Sequence, residues 1–431
     1  MDYHKMYQVL ESYGQLHVLK YFNELTTKQQ EELYAQVMDI DFSKLSKNIN
    51  KTTNNKFDNN DYNDIRYMDN QDDKNQASHI RNIRPIDVLT IKRIHKNINS
   101  YLKTGIEVLK DKKLGAVLLA GGMGTRLGSS KPKGMYNIGL TKELYIFEQV
   151  INNLIDMVKV IDLWIPLFIM TSKKNKEETI SFFKQMNYFG YEKEFIFFFE
   201  QDMTPSFHFD GTVILDSKYS IAMSPNGNGG WFESLVSNGL DNILEQFGIQ
   251  WLNVFSVDNV LQKICDPIFI GAILKSNCSC GAKVVKKQSP YENIGVICLE
   301  DNKPSIIEYY ELEDNIRNQV NETGESVYQY GVTLNYLFQV KELYRLLDEE
   351  LPLHRVERKT SYLDEGGELI LPIEANSYKF ETLILDMIHN HNSCLPYEVI
   401  REKEFAPIKN LVGVDSVDTA RELLLLNGFV I

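Results

Sequence analysis

One stretch constrains this chain more than any other: residues 118–140, LLAGGMGTRLGSSKPKGMYNIGL. An apolar run over 116–120 stops at Gly121 and Gly122. Such a run reads as a buried strand, and paired glycines let its backbone turn sharply and pass close to a ligand. Arg126, Lys131 and Lys133 follow in the same loop. Backbone N–H groups exposed by glycine, backed by fixed positive charge, make an anion site suited to phosphates. A tight strand-to-helix turn would also use the glycines, but a mere turn needs no clustered cations.

The loop fits neither common nucleotide template. Gly124 and Gly128 enclose three residues and Ser129 follows, whereas a P-loop has four and then Lys-Ser/Thr. Gly122, Gly124 and Gly128 leave one residue too many for G-x-G-x-x-G.

The flanking sequence predicts what carries the loop. The strand at 116–120 is followed by a helix through Ile146, Phe147, Val150, Ile151, Leu154, Ile155 and Val158. A strand in 163–170, a helix at 175–187 and the run FIFFF at 195–199 come next. This βαβαβ rhythm predicts an α/β fold with a doubly wound sheet. More strands are expected at 251–259, 282–287, 294–299 and 305–310, separated by polar turns, which makes the sheet mixed. Helices are expected near 340–350 and 377–391, and a last one over 416–427. Asp210-Gly211 predicts a tight hairpin, and PNGNGG at 225–230 a second glycine loop.

At the other end, residues 1–45 read as helices, with Thr27 and Gln30 fitting a capping box. Residues 47–80 are so rich in Asn, Asp and Lys that they cannot bury enough surface to order themselves, and read as a flexible insertion. The expected division is an N-terminal helical domain over 1–105 that includes this insertion, a catalytic domain over 106–391 and a small C-terminal domain over 392–431.

Bulk properties narrow the partners. The net charge of −13 argues against nucleic acid and membrane surfaces, which favour basic chains. The five cysteines are odd in number and scattered, which predicts reduced thiols in the cytoplasm. Cys278-Ser279-Cys280 lacks the second ligand pair of a zinc site. The N-terminus has no apolar signal core, and no apolar run approaches the roughly 20 residues that span a bilayer. Asp258 ends the apolar strand at 251–259, where ligands of α/β sheets gather. Its carboxylate can hold Mg²⁺ against phosphate oxygens or cap a helix starting at Val260, and both readings stand.

The motif LAGGMGTRLG…PKGMYNIGL closely resembles the signature loop of the eukaryotic-type UDP-sugar pyrophosphorylases, above all the UDP-N-acetylglucosamine branch. Similarity continues through IMTS (169–172), EQDMTPSFHFDG (200–211), MSPNGNGG (223–230), VDN (257–259), GAKVVKK (281–287), IGVIC (294–298), IEYYE (307–311) and EFAPIKN (404–410). The resemblance implies a Rossmann-like, GT-A-like nucleotidyltransferase acting on UTP and a sugar 1-phosphate with Mg²⁺, as a monomer or homodimer. The sugar phosphate attacks the α-phosphorus of UTP and pyrophosphate leaves.

Carried over residue by residue, the resemblance implies catalytic cations at Arg126 and Lys133 and nucleotide contacts at Gly121, Gly122, Gly124, Gln201 and Gly227. It implies sugar contacts at Asn228, Gly295, Glu308 and Val332, phosphate binding at Lys409 and metal binding at Asp258. One motif departs. Where the family has N-A-G-N-I, this chain has Gln329-Tyr330-Gly331-Val332-Thr333, so an apolar valine replaces the sugar-contacting asparagine. Leu383 stands where the family has an aromatic residue. Synthesis of UDP-N-acetylglucosamine leads the readings. Transfer to glucose 1-phosphate, galactose 1-phosphate or several sugars follows, then a binding protein that has lost turnover, then an interaction protein built on the N-terminal helices.

Overall fold

The computed structural model describes residues 1–46, 67–68 and 82–431. The expected Asn-rich insertion lies outside the described residues, apart from the strand Tyr67–Met68. By contacts the chain forms two compact units, and neither is one continuous stretch. One holds residues 1–80, 202–229 and 351–383; the other holds 81–201, 230–350 and 384–431.

The larger unit is built on a ten-stranded mixed sheet. Its strands in chain order are β1 (Ile83–Arg84), β2 (Leu114–Leu119), β3 (Leu167–Thr171), β4 (Ile196–Glu200) and β5 (Trp251–Ser256). They continue with β6 (Cys280–Lys286), β7 (Val296–Glu300), β8 (Lys303–Ile307), β9 (Tyr330–Gln339) and β10 (Cys394–Glu398). Across the sheet the order is β8-β7-β9-β5-β2-β3-β4; β6 pairs with β9 and β10, and β1 with β7. Strands β5, β2, β3 and β4 are neighbours and parallel. Every residue of β2 and β3 is buried, as continuous apolar runs in the middle of a parallel sheet require.

Helices cover this sheet through large side chains. Phe147, Val150, Ile151 and Leu154 of helix Ile146–Ile161 join Ala116 and Leu118 of β2 and Ile169 of β3 in one cluster. Two other helices, Ile91–Lys110 and Pro267–Lys275, meet at glycines. A Cβ on Gly105 would fall 1.9 Å from the Pro267 carbonyl oxygen, and one on Gly271 1.9 Å from that of Tyr101. The long strand β9 is antiparallel to β5 and β6. Its register with β6 shifts between Ala282 and Val284, and Leu334 takes a left-handed φ of 54° opposite the shift. Beyond this bulge Val284 faces Val332, and Gly331 pairs with Val296 of β7.

The smaller unit packs the helices Tyr3–Ser12 and Thr27–Asp39 through Met6, Leu10, Leu33 and Val37. Their core partners include Phe207, Val213, Tyr378 and Phe380. Strands His354–Arg358 and Ser377–Glu381 form the centre of an antiparallel sheet, flanked by Tyr67–Met68 and Phe207–His208. The Asp210-Gly211 turn closes as expected: Gly211 has φ 88°, and the His208 amide donates to Thr212 O at 2.7 Å.

Three local expectations change. The capping box forms one residue early, at Thr26 and Gln29, because Thr26 takes the extended φ −66°, ψ 157° of a cap while Thr27 is already helical. Residues 377–381, expected as helix, are a strand; pairing with His354–Arg358 decides this, and the helix starts at Ile384. No helix follows Asp258. Residues 257–266 form turns, and the next helix is capped by Asp266, whose carboxylate accepts from the Ile268 amide at 2.9 Å. Among the described residues, no helix is long and apolar enough to cross a membrane.

Candidate active site

The carboxyl ends of β5, β2, β3 and β4 lie side by side, because Ser256 pairs with Leu119, Leu119 with Met170 and Thr171 with Glu200. Four chain segments leave the sheet there, starting at Val257, Ala120, Ser172 and Gln201. In open α/β sheets this edge is where ligands bind.

The glycine loop leaving β2 is folded back on itself. The Gly124 amide donates to Lys131 O at 2.8 Å and the Lys133 amide to Gly122 O at 3.1 Å, while Met123 and Pro132 form an antiparallel bridge. Gly128 takes φ 73°, which a side chain would strain. This closure brings Lys133 back beside the first glycines although it lies over ten residues along the chain. Its side chain is only 12% exposed, and Nζ donates to Asp258 Oδ1 at 2.6 Å. Asp258 is 37% exposed. Lys133 and Asp258, predicted separately, therefore meet as a charge pair at the ends of adjacent strands. With no helix after it, Asp258 has no capping role.

Gln201, only 6% exposed, lies over the first glycine: a Cβ on Gly121 would approach its Oε1 to 2.8 Å. Gly121 thus leaves room for the glutamine amide. Arg126 sits on the one-turn helix Thr125–Leu127 with its side chain exposed. Among the described residues no hydrogen bond or ion pair anchors its guanidinium. Lys409 is joined to Asp258 through the backbone, since the preceding amide, Ile408, donates to Asp258 O at 2.9 Å. The Lys409 ammonium pairs with Asp415 at 3.0 Å.

A second cluster forms in the same unit at β7, β8 and β9. The Val332 amide donates to Gly295 O at 2.9 Å. A Cβ on Gly295 would lie 3.0 Å from Ile306, 3.6 Å from Val332 Cγ2 and 3.8 Å from the Glu308 carboxyl carbon. Glu308 and Val332 are thus both brought to Gly295.

Gly227 and Asn228 belong to the smaller unit. There the second glycine loop lies flush on residues 381–383. The Thr382 amide donates to Asn226 O at 2.8 Å and the Gly229 amide to Thr382 O at 2.9 Å. Gly227 has φ 92°, and a Cβ on it would fall 2.2 Å from Thr382 O; one on Gly229 would fall 2.7 Å from the Leu383 backbone. Asn228 and Leu383, the second departure from the family pattern, are therefore neighbours.

Residues 59–426 match the family described as UTP–glucose-1-phosphate uridylyltransferase. The chain belongs to this family. Within the uridylyltransferase family it is 33% identical over 429 residues to UDP-N-acetylglucosamine pyrophosphorylase of Saccharomyces cerevisiae, covering 96% of this chain and 88% of that one. It is 37% identical over 334 residues to UDP-N-acetylhexosamine pyrophosphorylase-like protein 1 of Xenopus tropicalis, covering 75% of this chain. The match spans about two thirds of that relative's length (65%) and of its Mus musculus counterpart's (66%). A solved structure from Entamoeba histolytica, provisionally named UDP-N-acetylglucosamine pyrophosphorylase, superposes with a TM-score of 0.72 at 29% identity, covering 78% of this chain and 86% of that one. The uridine diphosphate N-acetylglucosamine pyrophosphorylase of Trypanosoma brucei gives 0.76 at 22% identity, covering 97% and 83%, a likeness of fold.

One residue of this uridylyltransferase-family loop escaped the sequence reading. Asn175 is fully buried, and its Nδ2 donates to Ala120 O at 3.0 Å and to Gly122 O at 3.3 Å. Its Oδ1 accepts from the Ser172 amide at 2.8 Å. It ties the glycine loop to the end of β3. The signal was local: Asn175 directly precedes helix Lys176–Gln185, where an Asn usually reads only as a cap.

Proposed function

We propose that this chain is a uridylyltransferase that converts UTP and N-acetylglucosamine 1-phosphate to UDP-N-acetylglucosamine and pyrophosphate. The observation carrying the chemistry is the Lys133–Asp258 pair beside the Gly121–Gly122 turn, at the carboxyl edge of the parallel strands. The choice of sugar rests on the names of the relatives just given.

In this reading a phosphate oxygen of the sugar 1-phosphate attacks the α-phosphorus of UTP. The bond from that phosphorus to the α–β bridging oxygen breaks, and the electron pair leaves with pyrophosphate. Such transfer needs positioning and charge neutralisation more than covalent help. Amides at Gly121 and Gly122 are assigned to the nucleotide phosphates, and the Gln201 amide, a donor and an acceptor, to the uracil edge. The Gly124 amide is used within the loop, donating to Lys131 O at 2.8 Å, so Gly124 is assigned to the loop's closed shape around the nucleotide. Lys133 and Arg126 are assigned to the charge that builds on the transition state and the leaving group. Lys409 holds a phosphate oxygen. Gly227 and Asn228 are assigned to uracil and sugar, and Gly295, Glu308 and Val332 to the sugar.

Asp258 is assigned to Mg²⁺. No group of three or more His, Cys, Asp or Glu side chains suited to a metal occurs among the described residues. A lone carboxylate still fits Mg²⁺, which commonly takes one or two carboxylates and completes its shell with water and substrate phosphates. When bound, the ion would neutralise phosphate charge and fix phosphate geometry. A cytoplasmic setting is the reading that the odd number and scattered spacing of the five cysteines favours.

One observation favours a second reading, the same transfer to glucose 1-phosphate or to several sugars: Val332 stands with Glu308 around Gly295, and its apolar side chain has no group to read a hydroxyl. Pyrophosphate release from UTP with a panel of sugar 1-phosphates decides. Preference for the N-acetylated sugars supports the proposal; none for them supports the second reading.

A further inference from the structure

Asp258 and Lys409 come from distant parts of the chain, and the residue that joins their segments is Asn259. It is 2% exposed, and its amide is used at both ends. Nδ2 donates to Glu404 O at 2.8 Å. Oδ1 accepts from the Ala406 amide at 2.9 Å and the Leu261 amide at 3.3 Å. The main chains add two rungs, Ile408 N–H to Asp258 O at 2.9 Å and Val260 N–H to Ala406 O at 3.3 Å, on either side of an Asn259–Pro407 bridge. Pro407 occupies the position of that bridge that needs no N–H.

A ladder with two rungs specifies register weakly, and a one-residue slip would turn the Lys409 side chain to the opposite face. The Asn259 amide removes that freedom by reading two carbonyl and amide positions on the facing segment. Its anchor is fixed in turn. Lys283, 1% exposed on β6, donates to Glu404 Oε2 at 2.6 Å and to Asp266 Oδ2 at 3.4 Å. A buried ion pair of this kind fixes orientation more than it adds stability.

We propose that Asn259 is a positioning residue for nucleotidyl transfer: it registers segment 404–409 against Asp258 and so sets Lys409 relative to the Lys133–Asp258 pair. The inference rests on the proposed uridylyltransferase reading.

The test uses the full chain with Asn259→Ala and the isosteric Asn259→Asp, each alone and combined with Lys409→Ala. The aspartate keeps the acceptor for Ala406 and loses the donor to Glu404, so it decides if the alanine variant does not fold. In the otherwise native chain, kcat should fall about tenfold or more, with KM for UTP within about threefold of its starting value. In the Lys409→Ala background, removing Asn259 should cost less than about twofold more, because the lysine it places is already gone. A kcat within about twofold of wild type, or losses that simply multiply, would overturn the proposal. A wild-type chain that turns over no sugar 1-phosphate would refute the uridylyltransferase reading and the proposal with it; an active wild type with unchanged variants refutes the proposal alone.

Discussion

Replacing Lys133 by alanine separates catalysis from folding. The side chain is 12% exposed and holds Asp258 at 2.6 Å, so its loss leaves a carboxylate without its cation. Asp258 is 37% exposed, however, and water can reach it. The stability loss should therefore lie between those of surface and buried pairs, about 1–2 kcal/mol. The loop should stay closed, because the bond from Lys133 to Gly122 is made by its backbone amide at 3.1 Å. Catalysis should suffer more. Removing one preorganised group aimed at developing transition-state charge costs about 10²–10³ in kcat, or about 3–4 kcal/mol. The assay is pyrophosphate release at saturating UTP and sugar 1-phosphate, beside urea unfolding followed by circular dichroism. A fall in kcat below about tenfold in a folded variant would refute the catalytic role. So would activity that declines only in step with the folded fraction.

Other substitutions probe neighbouring links. Arg126→Ala, at an exposed side chain, should lower kcat about 10²-fold and leave stability within about 0.5 kcal/mol; misfolding without a separate kinetic defect would make the loop structural. Gly121→Ala would set a methyl carbon 2.8 Å from Gln201 Oε1 and push that side chain aside, so KM for UTP should rise about tenfold; an unchanged KM would remove the uracil role of Gln201. Asp258→Ala should raise the Mg²⁺ concentration needed for half-maximal rate, and an unchanged metal response would refute its assignment. Burial of His391 lowers its pKa to about 4, so between about 6.5 and 4 the unfolded chain binds more protons and stability falls as pH falls. That contribution is about 3 kcal/mol, and His391→Gln should flatten the pH dependence of unfolding over this window; an unchanged slope would contradict it.

What could be read in the sequence was local. The strand Leu114–Leu119 ahead of the glycine turn, the loop cations and the helix Ile146–Ile161 follow from runs and spacings within a few residues. What could not be read depends on partners far along the chain. Residues 377–381, SYKFE, alternate with the period of a strand, but the run is only five residues long and the apolar residues after it, Leu383, Ile384, Met387 and Ile388, have helical spacing that masks it; pairing with His354–Arg358 makes it a strand. The turn after Asp258 looked helical because Val260, Leu261 and Ile264 are apolar. Gln262 holds it as a turn, its Nε2 donating to Ser256 O at 2.7 Å and Asn259 O at 2.8 Å. The meeting of Gly295, Glu308 and Val332 depends on the bulge in β9, which no spacing announces. Their assignment came from family resemblance, and the geometry adds that they share one place.

The reaction itself is tested most directly by following phosphorus. UTP radiolabelled at the α-phosphate is incubated with the full chain, Mg²⁺ and N-acetylglucosamine 1-phosphate, and the products are separated. The account predicts all transferred label in UDP-N-acetylglucosamine and none in pyrophosphate, with the rate falling about 10²-fold or more for Lys133→Ala. Label that stays in UTP, or that appears in UMP without a nucleotide sugar, would contradict it.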